Sequence, residues 1–315
     1  MIGKLTAASA IVMALSALQP AVAAEWKPSG PITLNIGFGP GGSTDTMGRL
    51  IAQYLEQSKG WTVVPRNRPG GGGAVMAASL IRDKPDGLSL GMAVSESIIL
   101  NVATRKNTPY TVASFDYLGT VTVGHLTMLA KKDAPYNNIA ELVAFASKNN
   151  GATVSANGKA SELIVRAIAK RTKISLRPVP AKGGAEGIKN ILGGHTNAGF
   201  DGGAHMKYLA SGDMKVIATA NSKRHPVAKD QPTLTEQGYK FAVEPWWFIA
   251  APKGLPADAK ATLAKAIDEA VKSPKVKELV EKRFQLEVTN LGPDGTAKMM
   301  TEGLEGLKNL IAASN

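Results

Sequence analysis

Apolar positions along the chain alternate between a strand period of two and a helical period near three and a half, and glycines mark most of the changes. Ile32-Thr33-Leu34-Asn35-Ile36 reads as a strand, stopped by Gly37-Phe38-Gly39-Pro40-Gly41-Gly42. Met47, Leu50, Ile51, Tyr54 and Leu55 then recur at helical spacing, with Ser43, Thr44 and Asp45 placed to cap that helix. A second strand at Thr62-Val63-Val64 runs into Asn67-Arg68-Pro69 and four glycines, Gly70 to Gly73, ahead of a helix over 74–82. Asp86-Gly87 is a turn, and 88–94 is a third strand opening into Ser95-Glu96-Ser97. Strand, glycine turn, helix, strand, helix, strand implies a parallel sheet covered by helices.

A separate series of the same kind begins near Leu126. It has a strand over 126–130, a helix over 139–147 and a strand at 153–155; Asn157-Gly158 then leads into a helix over 161–170. A strand over 176–179, the loop Ala181-Lys182-Gly183-Gly184, a helix over 186–192 and strands at 198–200 and 215–220 complete it. The apolar stretch 241–250, with Trp246 and Trp247, crosses back. The last third is helical: Leu263, Ala266, Ile267, Ala270 and Val271 share one face, Ser273-Pro274 opens another helix, and a final one runs over 296–312. The expected architecture is α/β with two lobes and a cleft, residues 25–125 with 249–315 in the first and 126–248 in the second, the chain passing between them twice.

Residues 1–24 change the compartment. Lys4 precedes an apolar run of 14 residues, Leu5 to Leu18, followed by small residues at Ala21-Val22-Ala23 or Val22-Ala23-Ala24. That is the pattern of a cleaved signal peptide, and the run falls short of the ~20 apolar residues of a membrane span. A soluble, exported protein in a bacterial periplasm is expected. With 44% hydrophobic and 20% charged residues, the composition excludes disordered, collagen-like and coiled-coil classes. The absence of cysteine removes disulfides, a thiolate nucleophile and a cysteine-rich zinc site. A net charge of +12 is spread along the chain, often beside acids, as where Lys265 precedes Asp268-Glu269. It implies a mild attraction for anions, and no nucleic acid partner.

Gly37-x-Gly39-x-x-Gly42 formally matches a dinucleotide fingerprint between strand and helix, with Arg66 available as a phosphate reader. Polar Ser-Thr-Asp follows where such a fold continues into apolar helix packing, and export removes the chain from the nicotinamide pool. A simpler property fits better: a helix N-terminus offers unpaired N–H groups and partial positive charge to an anion. The loop Ala156-Asn157-Gly158-Lys159-Ala160-Ser161 repeats the arrangement in the second series, so the two loops could clamp a carboxylate across the cleft. Neither G-x-S-x-G nor H-E-x-x-H occurs. The four histidines, His125, His195, His205 and His225, are far apart in loop-like settings and are expected at the surface or in turns. No enzyme activity, metal or cofactor is expected.

Four stretches in order resemble the extracytoplasmic solute receptors of the tripartite tricarboxylate transporter group, the Bug-type binding proteins. They are 26–32 leading to Pro40-Gly41-Gly42-Ser43-Thr44-Asp45; Asn67-Arg68-Pro69 with Gly70 to Gly73; Pro85-Asp86-Gly87; and Leu192-Gly193-Gly194 with Phe200-Asp201. Weaker echoes follow at Pro232-Thr233, Glu236-Gln237-Gly238, Ala251-Pro252 and 273–276. The resemblance implies a two-lobed, periplasmic-binding-protein-like fold that closes like a flytrap on a small organic carboxylate. A monomer is implied, delivering its ligand to the membrane permease subunits of a tripartite tricarboxylate-type transporter or, in some relatives, to a sensor kinase. It also implies a ligand held by Phe38 and Gly41 to Asp45 (Gly41, Gly42, Ser43, Thr44, Asp45), by Ser95, and by Asn157, Gly158 and Ser161, with Lys182, Gly183 and Asp201 as neighbours. Trp246 takes the family's usual tryptophan position, with a packing or hinge role.

This chain departs from the family at four places. Glu162 stands where a histidine is common, Ala181 where a tyrosine is, and Lys159 and Ala160 replace small hydroxyl residues. Glu96 adds an acid where small residues are usual. If Glu96 or Glu162 faces the cleft, a simple dianion is repelled and an amine-bearing or neutral far end is favoured; if both face solvent, an ordinary dicarboxylate fits.

Overall fold

The computed structural model describes residues 26–315; the expected signal segment lies outside the described residues. The first lobe is built from β1 (Ile32–Ile36), α1 (Ser43–Lys59), β2 (Val63–Asn67), α2 (Ala74–Leu80), β3 (Ser89–Val94), α3 (Glu96–Thr104) and β4 (Phe115–Val123). The second holds β5 (Thr127–Lys131), α4 (Ile139–Lys148), β6 (Ala152–Ala156), α5 (Lys159–Thr172), β7 (Leu176–Pro180), α6 (Gly184–Leu192), β8 (Ala198–Asp201), α7 (Met206–Ala210) and β9 (Met214–Thr219). The chain then returns through β10 (Trp246–Pro252), α8 (Ala257–Val271), α9 (Pro274–Lys277), α10 (Gly292–Gly306) and α11 (Lys308–Ser314).

The strand orders are β2-β1-β3-β10-β4 and β7-β6-β8-β5-β9. In each five-stranded sheet four strands run in one direction, and the one antiparallel strand, β10 or β5, is the strand the chain enters on crossing from the other lobe. The inner parallel strands β1, β3, β6 and β8 are buried on both faces, as expected of a sheet with helices on either side, while the edge strands β2 and β7 expose Arg66 and Arg177. Met47, Ile51 and Leu55 of α1 and Leu263 and Ile267 of α8 close over Ile32, Leu34 and Ile36. Each such side chain contributes roughly 1.5–3 kcal/mol by leaving water.

Both crossings lie side by side. The Gly124 N–H donates to the Pro245 carbonyl at 2.7 Å. Asn221 joins the two, donating to the Gly124 carbonyl (2.7 Å) and to Glu244 (2.6 Å) while accepting from the Leu126 N–H (2.7 Å).

Several elements depart from the sequence expectations. The strand β4 and the helices α3 and α7 have no counterpart in them. β4 carries Gly119 at φ +156°, beside the Asn290 side chain, and slips register twice against β10. A bulged strand without clean alternation hides from a period-two search. The single final helix is two, broken at Leu307. α10 lies on β4 and α3, whereas α11 lies on α5 of the second lobe. The tail therefore reaches across to the second lobe and packs on it.

Asp116 on β4 fixes the exit of β10. Burial pushes its carboxyl pKa up, but the Lys253 ammonium (2.9 Å) and the N–H groups of Gly254 (2.7 Å) and Leu255 (3.0 Å) outweigh that and hold it at about 2. A carboxyl depressed in the folded chain stabilises fully above its unfolded value near 3.8, and the gain disappears as pH falls through about 2. Asp116→Asn should therefore cost about 2 kcal/mol at pH 7 and almost nothing near pH 2. Urea denaturation at the two pH values measures both numbers, and an equal cost at each would show that the carboxylate's charge contributes nothing.

Candidate functional site

Three helices, from both lobes, begin at one enclosed space. Gly42, with Ser43 and Thr44, opens α1; Gly158, with Ala160 and Ser161, opens α5; Gly184 opens α6; all seven line the same cavity. About 60 Å³ of it is open to the centres of water-sized atoms, against the ~10–15 Å³ that a single water needs. It therefore has room for a molecule of a handful of non-hydrogen atoms. No lysine or arginine is among its described lining residues. Attraction for an anion must come from backbone N–H groups, hydroxyls and helix N-termini.

The lobes are closed on one another around this space. The Gly39 N–H donates to the Lys182 carbonyl at 2.6 Å, and the Ala204 N–H to Ser43 Oγ at 3.1 Å. At Gly72, φ +64°, a Cβ would stand 2.8 Å from the Lys159 nitrogen, so the second glycine loop is also an inter-lobe contact.

The structure divides the expected site residues into two groups. Phe38, Gly42, Ser43, Thr44, Asn157, Gly158, Ser161 and Asp201 line the cavity. Five others do not. Asp45 turns back to accept from the Gly41 N–H (2.9 Å), Arg49 (2.9 Å) and Asn67 (2.8 Å), so it braces the loop and leaves Gly41 at φ +80° outside. Ser95 Oγ accepts from the Trp246 N–H at 3.2 Å. Lys182 and Gly183 pack against Gly39 at the lobe contact.

Glu96 and Glu162 separate clearly. Glu162 is held by Lys159 (3.2 Å) and Arg166 (3.0 Å) on the outer side of the lobe contact. Burial raises its pKa, but those two cations prevail and keep it below the usual range. Glu96, 5% exposed, is the first residue of α3 and lines the cavity, and its Oε2 has no hydrogen-bond partner. Burial drives its pKa up to about 8, against hydrogen bonds from its own N–H and from Ser95, and Glu244 pushes the same way as burial. Ala181 also sits on the outer side, so the tyrosine it replaces is missing there and not from the inner cavity.

The four histidines lie in loops and turns as expected, but they are not all at the surface: His205 and His225 are fully buried, the half-buried His125 ring lies tilted with its centroid 5.4 Å from that of His225, and His195 is exposed. The Val227 N–H donates to His225 Nδ1 (3.4 Å), which leaves His225 Nε2–H to donate to His205 Nε2 (3.0 Å) and His205 Nδ1–H to donate to Asp201 Oδ2 (2.8 Å). Burial, then the neighbouring imidazoles, bring the His225 pKa down to about 3; burial and His205 also lower that of His125. Asp201 takes two further donors on Oδ2, the N–H groups of Gly203 and His205, both at 2.9 Å. Burial raises its pKa, but these partners hold it below the ordinary range, so it stays ionised. Because both nitrogens of His205 are engaged in this chain, neither is turned to Ser43 or Ser161 as a general base would be.

Trp247, not Trp246, reaches the cavity. It is 3% exposed, donates from Nε1 to Thr44 Oγ1 at 2.8 Å, and lies against Gly124 and Gly202. The two tryptophans are adjacent in sequence, and only the register of β10 decides which of them faces inward.

Two α/β lobes that share one closed cavity, each supplying helix N-termini to it, define a two-lobed solute-binding receptor of the periplasmic-binding-protein type. The model of the tripartite tricarboxylate transporter family receptor matches residues 47–315, and the chain belongs to that family. It is 28% identical to protein BugT of Bordetella pertussis over 283 residues, 87% of this chain and 86% of BugT. Among solved structures it resembles the periplasmic binding protein BugD with a TM-score of 0.82 at 28% identity, covering 91% of this chain and 98% of BugD. MatC from Rhodopseudomonas palustris with bound malate shares the fold at a TM-score of 0.80 and 23% identity, over 90% of this chain and all of MatC.

Proposed function

We propose that this receptor, exported to the periplasm, captures a small organic carboxylate between its lobes and delivers it to the permease subunits of a tripartite tricarboxylate-type transporter, without chemical turnover. The observation that carries this reading is the convergence of the α1, α5 and α6 N-termini on one cavity without a lining cation. Helix N-termini and hydroxyls favour a compact anion, and closure strengthens them by excluding water. The malate bound by MatC is an anion of that kind. The signal-like residues 1–24 support export, and no helix among the described residues is long and apolar enough to cross a membrane.

Ser161 tests the reading. Its hydroxyl donates to the Gly158 carbonyl at 2.8 Å and can rotate to a ligand oxygen instead. A thermal-shift panel of mono- and dicarboxylates, amino acids and nicotinamide nucleotides should show stabilisation by carboxylates only, about 2.7 kcal/mol at a hundredfold excess over Kd. Ser161→Ala should then weaken the best ligand by about 0.5–3 kcal/mol in calorimetry. Unchanged affinity would remove Ser161 from the site, and stabilisation by nucleotides alone would overturn the reading.

A further inference from the structure

We propose that the seam between α7 and the turn Glu278–Arg283 is a docking groove, complete only in the closed protein, for an acidic segment of the permease subunits. This inference rests on the receptor reading above and names the surface on which closure is sensed. The groove encloses about 420 Å³, enough for the side chains of a docked segment. The first lobe lines it with Thr46 of α1 and with Lys282, Arg283 and Phe284; the second lines it with Gly203 and Lys207. Opening the lobes divides it between them. Its floor is tied to the ligand cavity, since the Ala204 N–H donates to Ser43 Oγ (3.1 Å) and the Gly203 N–H to Asp201 (2.9 Å), both cavity-lining side chains.

Charge selects the occupant. Lys207, Lys282 and Arg283 line the groove and are exposed, and no acid is among its described lining residues. Arg283 has Glu278 at 3.7 Å, but both side chains are more than half exposed, and such a pair contributes little. Glu281, on the same turn, is exposed and outside the lining. None of the three cations borders the ligand cavity, so the captured anion does not use them. The backbone beside them is unusual. The Phe284 N–H reaches five residues back to the Leu279 carbonyl (2.9 Å) in a π-helical turn, and Gln285 follows at φ +53°, a region that favours glycine. Both features gather at functional surfaces. Here they seat Phe284 on Gly203 of the other lobe, where a Cβ would stand 3.1 Å from the ring. A concave seam admits a protruding acidic segment and excludes a flat bilayer.

The chain has no cysteine, so Gly39→Cys with Lys182→Cys makes a clean switch. A Cβ at 39 would stand 3.2 Å from the Lys182 Cβ, within a small adjustment of disulfide geometry. Oxidation locks the mature chain closed without ligand, and reduction frees it to open. The probe is fluorescein-labelled hexaglutamate, standing in for the acidic segment and read by anisotropy at physiological salt; phosphatidylglycerol vesicles form a second arm. The locked form should bind the peptide about tenfold more tightly than the reduced form, because only the closed fraction is competent. In the locked protein, Lys282→Glu with Arg283→Glu should weaken binding at least about tenfold. Lys132→Glu with Lys148→Glu removes the same charge from exposed lysines outside the groove, and screening should hold its effect below about twofold. No peptide binding, equal binding by the locked and reduced forms, equal losses in the two charge-reversed pairs, or capture of the vesicles in place of the peptide would each overturn the groove. None of those results touches the carboxylate reading, which stands or falls on the thermal-shift panel.

Discussion

Gly184→Ala is expected to destabilise the folded protein by about 3–5 kcal/mol, the cost of disrupting a buried charged pair, and to abolish ligand binding. Helix propensity alone predicts the opposite sign. Gly184 opens α6, its φ is not in the left-handed region, and alanine in a helix is worth roughly 0.5–1 kcal/mol over glycine. Sterics decide the matter. A Cβ at 184 would stand 1.8 Å from Asp201 Oδ1, inside any tolerable contact. Asp201 would have to leave its place, giving up the Gly203 and His205 N–H groups and the His205 ring together. Gly187→Ala is the control on the same helix, since its Cβ would meet nothing nearer than 3.4 Å. Chemical denaturation of both variants separates the effects. A Gly184→Ala protein as stable as Gly187→Ala would mean that Asp201 is not held over the α6 N-terminus.

Trp247→Ala should cost about 3–5 kcal/mol, the usual range for emptying a buried aromatic site. Here the void would open between the lobes. The ring leaves β10, reaches Thr44 on α1, and fills the space that Gly124 and Gly202 clear: a Cβ on either would come within 2.4 and 3.0 Å of it. Trp247→Phe keeps most of the ring and removes only the N–H to Thr44, so about 1 kcal/mol is expected. Binding should fall further in the alanine variant than stability alone requires, because the missing ring borders the cavity. Denaturation combined with calorimetry tests this. A loss confined to stability, with full affinity in the folded fraction, would show that Trp247 serves packing only.

These two side chains show why part of the site was illegible in sequence. Gly184 ends the loop Ala181-Lys182-Gly183-Gly184 and opens α6, and nothing local in the sequence announces the carboxylate above it. Trp247 was visible, but the inward face of a strand is a matter of parity. Trp246 pairs with Val123 and Trp247 with Thr122, and a shift of one residue would exchange them. The histidines were read one at a time as surface or turn residues. His125, His205 and His225 lie on the first crossing, before α7 and after β9, and only the antiparallel pairing of β5 with β8 and β9 brings those places together.

What the sequence determined by itself was local. The spacing of apolar residues, the glycine loops after β1 and β6 and the small polar residues behind them specify strands, turns and helix starts, since each is set by the backbone's own sterics and hydrogen bonds. That was enough for two α/β lobes with a cleft and for the expectation that Ser43, Thr44, Gly158 and Ser161 open helices beside it, and all four line the cavity. Tertiary structure alone decided what depends on contacts between distant segments. It turned Asp45 back onto Arg49 and Asn67, took Glu162 to the outer face, buried Glu96 with an unpaired oxygen, and sent α11 across to α5. An acid's chemistry is set by the water and charges around it, and those are known only once the chain is packed.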